Sequence, residues 1–410
     1  MKVLVLNCGS SSIKYQFLEM AGEPILLAKG LLERIGLKDG EFAHKTSDGK
    51  KHQVVVDIPD HTFGISILLE ALTNKDHGVI TSVKEIDAVG HRVVHGGEEF
   101  TKSVLINEQI KAKIKECIEL APLHNPANLK GIEAMEANAP GIPQVAVFDT
   151  SFHQTMPKHA YIYGLPYEYY EKYKVRRYGF HGTSHKYVAQ RTAEFLGKDY
   201  NKLKIITCHL GNGASITAVK NGISVDTSMG MTPVEGLLMG TRCGDTGLGT
   251  FLYLIEKENM CYKDVNTLIN KKGGLLGISG LSPDMRDLKQ AADEGHERAA
   301  LAIEIFAYRV KKYIGAYTMA MGGVDAIVFT GGIGENAKFI REMICSDMGF
   351  IGLHFDKDKN NQVQGVAAEI STPASTVKCI VMPTNEELVI ATDTKEIVGK
   401  IGGCGCGCKH

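Results

Sequence analysis

Lys2–Leu18, KVLVLNCGSSSIKYQFL, reads as a strand, a small polar turn and a second strand. Val3, Val5 and then Ile13, Tyr15 and Phe17 keep an every-other-residue apolar rhythm, the mark of half-buried strands. Between them lie Asn7, Cys8, Gly9, Ser10, Ser11 and Ser12, followed by Lys14. Such a turn offers backbone N–H groups and hydroxyls at short range, with an ammonium behind them, and suits a row of phosphate oxygens. An ordinary N-terminal hairpin reads the same way, so this stretch needs support from elsewhere.

Lys204–Gly222, KIITCHLGNGASITAVKNG, supplies it. An apolar run through Ile205, Ile206 and Cys208 enters the turn His209-Leu210-Gly211-Asn212-Gly213, and Ala214–Val219 is the returning strand. The opening pattern is repeated about half a chain later. A duplicated domain follows, with one phosphate-gripping hairpin in each half and a nucleotide expected in the cleft between.

The rest of the chain alternates strand and helix patterns, so the class is α/β. Strands are expected at Ile25–Lys29, His52–Ile58, Ile86–Val94, Gln144–Phe148, Ala326–Thr330 and Val377–Met382, with Glu108–Leu120 as an amphipathic helix. Thr183 or Ser184 is expected to cap a helix through Leu196. Asp226–Gly249, rich in Gly, Met and Thr, reads as a long functional loop. The expected domains are 1–149 with 386–400, and 150–385, leaving a Gly/Cys tail, 401–410, expected to be disordered.

At 410 residues the chain is too long for one core and suits two domains of roughly 150–200 residues each. A net charge of −1 points to neither a nucleic-acid nor a membrane surface. No apolar run reaches the roughly 18 residues that span a bilayer, and Met1–Leu6 is too short for a signal-peptide core, so a cytoplasmic protein is expected. Of the ten cysteines, seven are scattered and read as reduced thiols. Cys404, Cys406 and Cys408 sit with His410 in the tail, either as a soft-metal site or as incidental thiols.

Neither GxxxxGK[ST] nor GxGxxG occurs, which excludes the P-loop and dinucleotide classes by motif. Gly331-Gly332-Ile333-Gly334-Glu335-Asn336 after a buried strand would let a base or ribose approach the backbone. Arg92 in GHRVVHGG and Arg242 in MGTRCGDTG carry forks that match carboxylate and phosphate, in slim glycine settings. Asp149 ends an apolar strand, where functional groups and ordinary caps both occur. His181 stands in YGFHGTSH and reads equally as a structural histidine. Asn7 and Glu386 each end a strand, and an amide with a carboxylate suits Mg²⁺ if the fold unites them.

Eight ordered stretches, LNCGSSSIKY, GHRVVHGG, FDTSFH, YGFHGTSH, HLGNGAS, GTRCGDTG, FTGGIGEN and PTNEEL, resemble the acetokinase (acetate kinase) family from residue 1 to about 398. Only the CGCGC tail departs from the pattern. The resemblance implies duplicated sugar-kinase/Hsp70/actin-like (ribonuclease H-like) domains flanking a nucleotide cleft. It implies reversible phosphorylation of acetate to acetyl phosphate by ATP, with Mg²⁺ (Mn²⁺ as substitute), in a homodimer. It further implies that Asn7 and Glu386 hold the metal. Lys14, His209, Leu210, Gly211, Asn212, Gly213, Asp284, Met285, Arg286, Gly332, Ile333, Gly334, Glu335 and Asn336 would bind nucleotide. Arg92 and Arg242 would grip acetate and the moving phosphoryl group, His181 would stabilise the transition state, and Asp149 would be the catalytic acidic residue. Val94, Leu123, Phe180 and Pro233 would form the acyl pocket.

Acetate is ionised at neutral pH, since carboxylic acids titrate near about pH 4. No strong base is needed, and the expected task of Asp149 is to orient Arg92 or metal-bound water. The rival readings are a propionate or butyrate kinase of the same superfamily and an actin-like nucleotide switch.

Overall fold

The computed structural model describes residues 1–403. It divides into two units: Met1–Ser151 with the chain from Asn385 onward, and Phe152–Thr384.

The first unit holds β1 (Lys2–Cys8), β2 (Ser12–Glu19), β3 (Ile25–Glu33), β4 (Glu41–Thr46), β5 (Lys51–Val55), β6 (Ala88–Val93), β7 (Val104–Leu105) and β8 (Gln144–Phe148) in one sheet, ordered β5-β4-β3-β2-β1-β6-β8-β7. The second holds β9 (Lys204–Leu210), β10 (Ala214–Lys220), β11 (Ile223–Thr227), β12 (Ala326–Thr330), β13 (Ala368–Glu369) and β14 (Lys378–Val381), ordered β11-β10-β9-β12-β14-β13. The two follow one plan. β1 pairs antiparallel with β2 and parallel with β6, which pairs parallel with β8. β9 pairs antiparallel with β10 and parallel with β12, which pairs parallel with β14. Even the short edge strands β7 and β13 run antiparallel to the same relative neighbour. This is the duplicated sugar-kinase/actin-like α/β fold, and the extra β4–β5 ribbon is peculiar to the first unit.

β1 corrects the half-buried reading. Val3, Leu4, Val5 and Leu6 are all buried, because β1 is central and covered on both faces. Leu4, Leu6 and Cys8 pack with Ile65 and Leu68 of helix His61–Thr73 and with Met135 of helix Asn125–Asn138. Val3 and Val5 pack with Ile390 and Ala391 of helix Glu386–Gly403.

Other boundaries move for local reasons. β4 lies between the expected strands Ile25–Lys29 and His52–Ile58, where no strand was expected. Helix Glu108–Glu116 stops four residues short of the expected end. Neither Thr183 nor Ser184 caps the helix Gly182–Phe195: His181 takes the cap position at φ +56°, and Ser184 turns its hydroxyl to His209 and Thr384. The terminal helix runs to Gly403, and Cys404, Cys406, Cys408 and His410 lie outside the described residues. Cys8, Cys208, Cys345 and Cys379 are buried free thiols. Among the described residues no helix is long and apolar enough to cross a membrane.

His91 on β6 is buried, and its Nε2–H donates to Oε1 of Gln144 at 2.5 Å. Burial pushes its pKa down from 6.5 to about 4, against the opposing effect of that bond. The unfolded chain therefore binds the extra proton first. Stability from the neutral ring is fully present above pH 6.5 and is lost as pH falls toward about 4. The whole window corresponds to roughly 3 kcal/mol. Urea midpoints at pH 7 and pH 5 should fall less in His91→Gln than in the parent; equal falls would remove His91 as the titrating group.

Candidate functional site

In the first unit the parallel strands β1, β6 and β8 end at one edge of the sheet, and their last residues gather polar groups there. Arg92 donates to Asp149 through two parallel bonds, Nε to Oδ1 at 3.0 Å and Nη2 to Oδ2 at 2.6 Å. Its third nitrogen, Nη1, donates to Oδ1 of Asn7 at 3.4 Å. The Asp149 side chain is 1% exposed and the Arg92 side chain 22%. Burial works against the guanidinium charge, but Asp149 outweighs it and raises the Arg92 pKa. A fork held on one side by a buried carboxylate is pre-aimed on the other.

The turn after β1 is fixed from behind. Asn128 Nδ2 donates to Cys8 O at 2.8 Å, and His61 Nε2–H donates to Gly9 O at 2.8 Å. Gly9 N is used within the turn, donating to Ser12 O, while Ser10 and Ser11 stay exposed. Lys14 Nζ pairs with Oε1 of Glu387 at 2.5 Å.

Glu386 and Glu387 open the terminal helix in the same unit. Burial pushes the Glu386 carboxyl up from 4.5 to about 7, with Arg92 and Lys14 opposing and Asp149 and Glu387 adding. With Glu386 itself, these are three carboxylates against two cations, a surplus of one negative charge. The oxygens of Asn7 and Glu386 are hard ligands, and a dication beside them would offset that surplus, so the residues fit Mg²⁺ or Mn²⁺. Among the described residues no group of three or more His, Cys, Asp and Glu is arranged to hold a metal. A cation here would accordingly draw on substrate and water for most of its oxygens.

The second unit carries a cleft of about 1170 Å³, lined by Gly211, Asn212, Asp284, Met285, Arg286, Gly332, Ile333 and Asn336 among others. Its floor is the turn between β9 and β10, and its walls are the starts of helices Met285–Asp293 and Gly331–Asn336. Asp284 accepts from Arg286 N at 2.8 Å and from Arg286 Nε and Nη2 at 3.0 and 2.6 Å, which holds that exposed guanidinium at the cleft. Lys289, Gln290 and Phe339 also line it. Gly334 is buried behind it, and Glu335 turns its carboxylate inward, accepting from Gly331 N at 2.9 Å and Thr384 N at 3.1 Å.

His181, His209 and Arg242 sit at the Gly213 end of the same turn. His181 stacks on His209 with centroids 4.3 Å apart, and its Nδ1 lies 2.9 Å from Ser215 Oγ. Arg242 Nη1 donates to Pro233 O at 3.4 Å. A Cβ at Gly213 would stand 3.5 Å from Arg242 Nη1 and 3.5 and 3.6 Å from Cε1 and Nε2 of His181. Glycine thus leaves a small open volume edged by two nitrogen groups. Gly240 brings the Arg242 loop in: its N donates to Asn212 O at 3.0 Å, and a Cβ there would lie 1.8 Å from Asn212 Oδ1.

Of the four residues expected to form an acyl pocket, Val94 is buried and Leu123 is 53% exposed in the first unit, whereas Phe180 is buried and Pro233 half-buried in the second. Glu387, Ser215 and His185 were not singled out from sequence, and Ser184 was read only as a helix cap. Only Glu387 had a signal, the doubled acid in PTNEEL.

The chain matches the model of the acetokinase family over residues 2–392. It is 55% identical to the acetate kinase of Desulfitobacterium hafniense (strain Y51) over 400 residues, 98% of this chain and all of that one. It is 58% identical to the acetate kinase of Caldicellulosiruptor saccharolyticus over 401 residues, 98% of this chain and all of that one. The crystal structure of Porphyromonas gingivalis acetate kinase superposes with a TM-score of 0.93 at 54% identity, covering 97% of this chain and 99% of that one. A propionate kinase from Francisella tularensis superposes with a TM-score of 0.89 at 43% identity, over the same shares. With both sheets, both arginine sites and the glycine cleft inside the matched span, the chain belongs to the acetokinase family and is a phosphotransferase of that family.

Proposed function

We propose that this chain transfers the γ-phosphoryl group of ATP, reversibly and in line, to the carboxylate of acetate, giving acetyl phosphate and ADP. The observation that carries the reading is the open volume beside Gly213, where Arg242 Nη1 and His181 Nε2 converge. Groups so placed act on the charge of a transferring phosphoryl group.

The acceptor is an anion and the donor a polyanion, so the barrier is repulsion rather than the making of a nucleophile. Arg92 answers it by binding the acetate carboxylate, with Asp149 holding the fork in register and accepting no proton from the substrate. Arg242 and His181 meet the equatorial phosphoryl oxygens. The His209–Gly213 turn, Asp284–Arg286 and Gly332–Asn336 bind the nucleotide, and Lys14 meets its phosphates. Asn7 and Glu386 would hold Mg²⁺, which when bound supplies positive charge to the phosphate oxygens. Val94, Leu123, Phe180 and Pro233 give the methyl group an apolar surface. Homodimer formation belongs to the same proposal on the resemblance alone, and a cytoplasmic location on the expectation drawn from the sequence.

Acetate-dependent ADP release, with the product trapped as the hydroxamate, tests the reaction. Acetate should give a higher kcat/KM than propionate or butyrate, by a factor of about 10 or more per added methylene; ADP release independent of any acid would defeat the reading. Gly213→Ala should place a methyl group between Arg242 and His181. We expect kcat to fall roughly 100-fold, with the melting temperature nearly unchanged; parental kcat would place the phosphoryl group elsewhere. Asp149→Asn should lower kcat/KM for acetate by about 100- to 1000-fold, and near-normal turnover would leave Asp149 with neither an orienting nor a catalytic part.

A further inference from the structure

We propose that Ser215 and His185 are positioning residues that lock His181 in its Nε2–H tautomer, so that a neutral imidazole donates a hydrogen bond to the transferring phosphoryl group. The inference rests on the part given to His181 above and adds which proton it uses and what holds it.

The argument is a count of protons in a closed place. Ser215 is fully buried, and its hydroxyl lies 2.9 Å from His181 Nδ1 and 2.7 Å from His185 Nε2. It has one proton and two lone pairs, and its hydrogen-bond neighbours are the two ring nitrogens, so for that buried proton to be accepted it must donate to one ring and accept from the other. His185 Nδ1 in turn lies 2.7 Å from the hydroxyl of Thr207, also fully buried. Two assignments run through this row. If His185 donates from Nδ1, the Thr207 proton is left without an acceptor in the core, because His185 is the hydroxyl's hydrogen-bond partner. If instead Thr207 donates to His185 Nδ1, His185 carries its proton on Nε2 and gives it to Ser215. Ser215 then donates to His181 Nδ1. Every buried proton finds an acceptor only in the second arrangement. Neutral His181 is then left with its hydrogen on Nε2, the atom beside Gly213.

The surroundings agree. Burial holds the His185 pKa well below 6.5, with His153 and His209 adding to it, so His185 enters the row with one proton. His209 stacks on His181 at 4.3 Å, His185 lies at 6.5 Å on its own helix, and the Arg242 guanidinium stands across Gly213. His153 faces His185 at 5.8 Å. His181 also occupies the N-cap position of the 14-residue helix Gly182–Phe195, at the positive end of its dipole. A neutral donor keeps its charge state and its hydrogen bond when pH rises through the imidazole range, whereas an imidazolium loses its positive charge.

The test is long-range proton–nitrogen NMR of the full chain labelled with ¹⁵N-histidine, the His181 signals being assigned with His181→Gln. At pH 7.5 His181 should show a protonated Nε2 and a bare Nδ1. Ser215→Ala should mix the two tautomers and lower kcat about 10-fold at unchanged KM for ATP, and Ser215→Thr should restore both. A protonated Nδ1 or a doubly protonated ring at pH 7.5 in the parent overturns the relay, with no variant required. If the spectra are as expected but Ser215→Ala leaves kcat untouched, the relay stands and the part assigned to His181 in the reaction falls.

Discussion

The parallel pairing of a hairpin strand with two later strands governs everything chemical in this chain. In each unit the first strand leaves its sheet at the same end as its two parallel neighbours, so the loops after β1, β6 and β8, or after β9, β12 and β14, leave from one edge. The strands between are apolar on both faces and accept no charge. Polar side chains are thereby driven to the strand ends. Asn7, Arg92 and Asp149 follow in the first unit, and the Gly211–Gly213 turn and GGIGEN in the second.

The two edges have opposite electrostatic character. The first has three carboxylates to two cations and keeps Arg92 charged by burying Asp149 against it. A buried pair of this kind contributes little net stability, since the desolvation cost nearly cancels the attraction. Its value is geometric: two bonds at 3.0 and 2.6 Å leave the guanidinium one orientation. The second edge presents the side-chain donors Arg242, Arg286 and the His181 ring. That is what a polyanion requires.

Much of this is legible in the sequence. Both hairpins, β8 and β12 emerge at or within a residue or two of their expected bounds, because their apolar runs end on Gly, Ser, Asn or Asp. The repeat was visible for the same reason. What was hidden depends on distant partners. β1 reads as half-buried because sequence shows its residues but not the helix that begins at residue 386 and covers its second face. Ser184 looks like a helix cap until a histidine at φ +56° takes that place and leaves the hydroxyl to bind His209. Ser215 looks like any strand serine, and its meaning comes from His185 and His181 on a different element. The cleft residues Lys289 and Phe339 lie on helices whose exposed faces carry no motif.

The GGIGEN segment shows how far such support reaches. It folds as a six-residue helix, Gly331–Asn336, too short to hold itself in water and rich in glycine besides. Its last carbonyls have no partner within it. Arg341, fully buried, donates from Nη1 to Gly334 O and Glu335 O at 2.9 Å each, and from Nη2 to Val363 O at 2.8 Å, while Nε donates to Asn360 Oδ1 at 2.7 Å. None of these acceptors is a carboxylate, and burial lowers the Arg341 pKa accordingly. A buried cation satisfied only by carbonyl and amide dipoles is stable where those dipoles are fixed, and it fixes them in return. At the other end of the segment the Glu335 carboxylate takes the Gly331 N–H. The glycines proposed to let a nucleotide come close are thus pinned from beneath at both ends, so flexibility in composition becomes rigidity in place.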